Sequence, residues 1–110
     1  MPTTKASNIY VQRFYESLRA ELLAKKAVTE KKMFGTAALC SNGKVFMFPW
    51  KETLVLKLPE DTVNKLVTTN QGQLFDPGHG RKSKTWVAVF PTAKRQWPKL
   101  VGTARQFVGG

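Results

Sequence analysis

The sequence predicts an α+β domain: a mostly antiparallel sheet, built from a three-strand meander plus later strands, with an N-terminal, a middle and a C-terminal helix. Three observations predict it. Residues 31–58, KKMFGTAALCSNGKVFMFPWKETLVLKL, hold short apolar runs at 36–40, 45–48 and 53–58, each bounded by turn formers. Apolar residues recur at helical spacing on either side of that block, at Val11, Phe14, Tyr15, Leu18 and Leu22, and again at Trp97, Leu100, Val101, Ala104 and Val108. The stretch TWVAVF at 85–90 is apolar on both faces and reads as a central strand.

Each element has a local cause. Residues 1–6 are polar and are expected to be disordered. Ser7 or Asn8 caps a helix that runs to about Lys26, supported by Glu21 one turn before Lys25. Residues 28–33 read as an edge strand whose lysines oppose aggregation. Gly35 marks a bend ahead of the meander. Asn42-Gly43 is a two-residue hairpin turn, because a type I′ turn needs φ > 0 at both central positions. Pro49 has no N–H and belongs at a strand end or edge, where Pro49-Trp50-Lys51-Glu52 turns into the next strand. Alternation assigns Val55, Val87 and Val89 to one face of the sheet and Leu54, Leu56 and Trp86 to the other. Phe46, Leu54, Leu56 and Trp86 are expected to be largely buried.

Pro59 fits the first position of the middle helix, with Glu60 and Asp61 at its positive end. Val63, Leu66 and Val67 form its buried face, and Gly72 is its expected left-handed cap. Leu74-Phe75 is a short apolar piece, followed by the glycine-rich loop DPGHGRKSK at 76–84. Pro91 closes the central strand, and a final helix starts near Pro98.

A length of 110 residues points to one domain over 1–110. No apolar run approaches the roughly 18 residues of a membrane span, so no membrane partner is expected. The start MPTTKASNIY lacks the pattern of a signal peptide. With Cys40 as the single cysteine, a cytoplasmic, reducing location is expected. A net charge of +11 favours anionic partners, nucleic acid before membrane.

The residues argue against an enzyme, and neither cofactor nor metal is expected. His79 and Cys40 are single, and neither has a catalytic neighbour in sequence. Cys40 lies in an apolar strand, where a thiol behaves as a small hydrophobe. His79 lies in the glycine loop, and the loop is no P-loop: it lacks the GK[ST] ending. The adjacent acids Glu60 and Asp61 are explained by a helix start.

KKMFG at 31–35, NGKVFMF at 42–48, TLVLKL at 53–58, Leu74-Phe75, Gly80-Arg81 and Trp86-Val87 together resemble the amino-terminal domain of the TfoX (Sxy) family. The resemblance covers about residues 8–108, and departs at Thr36, where the family commonly has a second glycine. It implies an α+β domain and a link to regulation of bacterial competence genes. Full-length regulators of that family carry a second, carboxy-terminal domain; the expectation here is the amino-terminal domain alone.

The basic residues carry the functional reading. Every charged side chain after Asp76 is positive: Arg81, Lys82, Lys84, Lys94, Arg95, Lys99 and Arg105. Trp86 and Trp97 lie among them, either as core or as stacking surfaces for bases. Two classes stay open. In one, these cations contact the phosphate backbone of DNA or RNA without reading sequence. In the other, the chain is a protein-interaction or homodimerisation module, working through an apolar sheet face that helices leave open.

Overall fold

The tightest sequence signal sets the register of the sheet. In the computed structural model, which describes residues 2–25, 27–33, 36–50, 53–75 and 84–109, Asn42 and Gly43 have φ of 53° and 80°. Ser41 faces Lys44 across them, so the hairpin turn is of the expected kind. It joins β2 (Thr36–Ser41) to β3 (Lys44–Trp50), and β1 (Val28–Met33) and β4 (Thr53–Lys57) extend the meander on either side. Pro49 lies near the end of β3, two residues past the Leu39–Met47 pair. With β5 (Gly72–Leu74) and β6 (Trp86–Val89) the sheet has six strands in the order β1-β2-β3-β4-β6-β5. Every neighbouring pair is antiparallel. β1 is an edge and β6 is flanked on both sides, as expected.

The helices are α1 (Pro2–Leu23), α2 (Glu60–Thr68) and α3 (Trp97–Gly109). α1 begins at Pro2, ahead of Ser7 and Asn8, which lie inside it. It ends at Leu23, so Lys25 falls beyond the helix and Glu21–Lys25 does not span a helical turn. Pro59 caps α2 rather than opening it. Its end is a Schellman motif: Asn70 takes φ 60°, its N–H donates to the Val67 carbonyl at 3.1 Å, and Gln71 N–H donates to the Leu66 carbonyl at 2.8 Å. Asn70, not Gly72, is therefore the left-handed residue. Gly72 stands in β5 for a different reason. A Cβ there would lie 2.9 Å from the Ala88 carbonyl oxygen and 3.0 Å from Val87 Cγ2, so the close approach of β5 to β6 requires glycine. Val67, expected in the buried face of α2, is exposed beside buried Val63 and Leu66. Between β6 and α3 the chain winds a 3-10 segment, Pro91–Gln96, that the apolar periodicity did not reveal.

The core lies between the helices and one face of the sheet. Leu39, Phe46, Met47, Leu54, Leu56, Val87 and Val89 meet Val11, Tyr15, Leu22, Val63, Leu66, Trp97, Leu100, Val101 and Ala104 there. Val87 and Val89 thus share a face with Leu54 and Leu56, because the register pairs Leu54 with Val89 and Leu56 with Val87. Trp86 stands on the other face and is half-buried. A register shift between Leu39 and Cys40 inserts one extra residue in β3, which lets Phe46 and Met47, neighbours in sequence, both enter the main core. On the helix-free face Ala38, Phe48, Val55, Phe75 and Ala88 are buried, with Val45, Trp50 and Trp86 packed against them. Helices leave this face free, and Val45, Trp50 and Trp86 on it stay partly exposed. The Gly35 bend, Lys51-Glu52, Lys26, and 76–83 with His79, Arg81 and Lys82 lie outside the described residues.

Candidate functional site

The cations after Asp76 are distributed by β6. Lys84 is exposed two residues before the strand. Lys94 and Arg95 are exposed on the 3-10 segment that follows it, and Lys99 is exposed in the first turn of α3. The chain therefore gathers Lys94, Arg95 and Lys99 around the junction of the 3-10 segment with α3. Lys84 sits beyond the opposite end of the 4-residue strand, a strand length of about 13 Å away. Arg105 is half-exposed on α3; at 3.6 residues per turn it is about 120° round the helix from Lys99. Arg81 and Lys82 are outside the described residues.

The aromatic residues divide. Trp97 is fully buried and packs edge-on against Phe14, 5.1 Å between ring centroids; it is core and offers no stacking surface. Trp86 lies on the helix-free face, tilted against Phe48 at 5.8 Å. Lys57 places its Nζ 5.2 Å from the Trp86 ring centre, a cation–π contact that puts positive charge on that face. Cys40 is buried in β2, in keeping with a packing role. Among the described residues no three His, Cys, Asp or Glu side chains gather as metal ligands would, and no helix is long and apolar enough to cross a membrane.

A concave feature lies between α2 and α3. It is a cleft of about 550 Å³, walled by Asp61, Thr62, Lys65 and Thr69 on one side and by Gln96, Lys99 and Thr103 on the other, with Leu66 and Leu100 at its base. That size lies within the usual range of small-ligand sites, about 300–1,000 Å³. The Gln96 amide donates to Gln71 Oε1 at 2.7 Å and bridges the two walls at one end. Sequence reading missed this cleft. Thr62, Lys65 and Thr69 form a polar stripe at helical spacing, as do Gln96, Lys99 and Thr103, yet nothing local says that the two stripes face each other.

A second polar cluster fastens α1 to β1. Glu30 accepts from Tyr15 Oη at 2.7 Å, from Arg19 Nε at 2.7 Å and from Arg19 Nη2 at 2.8 Å. The Arg19 bonds hold the Glu30 carboxyl below the ordinary glutamate range, and Glu30 in turn raises the Arg19 guanidinium. Burial, reinforced by the bond to Glu30, pushes the Tyr15 phenol above its ordinary value. Every member has its partner inside the cluster, so its role is attachment of the helix.

The family model described as the TfoX N-terminal domain matches residues 20–105. No curated protein and no solved structure matches the chain.

Proposed function

This chain belongs to the TfoX N-terminal domain family, and from that premise we propose that it is a small, non-enzymatic, cytoplasmic regulatory domain that contacts the phosphate backbone of nucleic acid. The observation that supports this most is charge. The net charge is +11, and Lys94, Arg95 and Lys99 are all exposed around one junction of the fold. Flexible ammonium and guanidinium groups in such a group hold phosphates without selecting bases, which suits a domain that associates with nucleic acid at many positions.

The reading as a homodimerisation module depended on an open apolar sheet face. Phe48 and Val55 on that face are fully buried within the chain itself, so the apolar surface it leaves for association is that of the partly exposed Val45, Trp50 and Trp86. The large apolar side chains that are exposed among the described residues, Val67 and Phe107, lie on different helices.

The test is fluorescence anisotropy with two unrelated duplexes, at low and at physiological salt. Both should bind at low salt with similar affinity, and Lys94→Glu with Arg95→Glu should weaken both alike. Absence of binding at low salt, together with a salt-insensitive dimer, would overturn the proposal in favour of a protein partner or a second copy of the chain.

A further inference from the structure

We infer that the α2–α3 cleft, which shares Lys99 with the cations proposed for backbone contact, is a binding site for a small sugar phosphate bearing a single phosphate group. Lys65 enters it from one helix and Lys99 from the other. A lysine on each wall matches a dianion: a phosphate monoester carries about 1.5–2 negative charges at neutral pH, whereas a carboxylate or a backbone phosphodiester carries one. One end of the cleft is bridged by a side-chain bond, the 2.7 Å contact between Gln96 and Gln71 that joins the walls.

The remaining lining selects for hydroxyls. Thr62, Thr69 and Thr103 supply hydroxyl oxygens; those of Thr69 and Thr103 serve as acceptors, since their O–H groups donate to the Lys65 and Lys99 carbonyls at 2.7 and 3.2 Å, and the two glutamine amides keep donors and acceptors beyond the bond they share. Asp61 lies at the far end of the α2 wall from Thr69, a helix length of about 12 Å. Its carboxylate accepts from a hydroxyl and repels a second phosphate, which is why a monophosphate fits and a bisphosphate does not. Leu66 and Leu100 give the base an apolar patch, suited to the C–H face of a sugar ring.

The experiment is a titration of the full chain with ribose 5-phosphate, followed by amide resonances in 15N-correlated NMR spectra. Shifts are expected at Lys65, Gln71, Gln96 and Thr103. Inorganic phosphate and ribose should each bind at least about tenfold more weakly, because each lacks one half of the contacts. Lys65→Gln should weaken ribose 5-phosphate about tenfold, and Lys44→Gln, in the distant hairpin, should leave it unchanged. The inference fails if no shifts appear, if inorganic phosphate binds as tightly as ribose 5-phosphate, or if Lys65→Gln binds like the parent while its spectrum remains dispersed. Duplex binding measured on the same samples separates the two readings. A chain that binds duplex but not the sugar phosphate loses the cleft alone, and the reverse result removes only backbone contact.

Discussion

Glu30 accepts three hydrogen bonds, two from one guanidinium, and its carboxyl sits below the ordinary glutamate value. A folded-state value lowered in this way means that the contribution is fully present above the ordinary value and fades as pH falls through the folded one. The parent chain should therefore lose thermal stability on acidification through the carboxylate range. Glu30→Gln should start lower at neutral pH and change less over that range, as read by circular dichroism melts. Tyr15 has the opposite sign. Its folded value is raised by burial first and by Glu30 second, so its contribution is complete below the ordinary tyrosine value and is lost only as pH rises through the folded one. Tyr15→Phe should flatten that alkaline limb. None of this was legible in the sequence. A Glu21–Lys25 pair is visible at helical spacing, whereas Arg19 and Glu30 meet only because the turn after α1 folds β1 back along the helix.

At the scale of elements, what was local was readable and what depended on pairing was not. Asn42-Gly43 specifies its own turn, and the lysines of β1 mark an edge. Alternation fixes sides within one strand, but relative sides across two strands depend on register, which placed Val87 opposite Leu56 and turned Trp86 to the other face. The extra residue in β3 likewise breaks the alternation through Phe46 and Met47. Glycine shows the same division. Gly72 resembles a helix cap in sequence, but its Cβ position is filled by β6 backbone 2.9 Å away. Gly72→Ala should cost about 1–3 kcal/mol through overpacking between backbones. Gly102, exposed within α3, has nothing within 4 Å of its Cβ position; Gly102→Ala should stabilise by about 0.4–1 kcal/mol. Urea denaturation of the two variants measures both. A neutral Gly72→Ala would show that β5 is free to move away from β6, contrary to a packed edge.

For the molecule as a whole, the run of positive charge after Asp76 was plain in the sequence, but its layout was not. β6 holds Lys84 apart from Lys94 and Arg95 by about the length of a 4-residue strand, roughly 13 Å. That separation exceeds the about 7–10 Å beyond which substitutions act independently. If both ends of β6 touch one duplex, reversing Lys84 and reversing Lys94 with Arg95 should weaken binding additively in free energy. Each lost phosphate contact should also lower the slope of log affinity against log salt by about one, from a parent slope near 0.9 per phosphate. The measurement is a salt titration of the parent, each reversal and their combination. A Lys84 reversal that changes neither affinity nor slope confines the contact to the 3-10 segment and the start of α3. A combination much weaker than the sum of its parts means instead that reversed charge is repelling the duplex across the whole domain. A long-range field of that kind is screened within a Debye length of about 8 Å at physiological ionic strength, so the excess should vanish between low and physiological salt, while a loss of direct contacts persists at both.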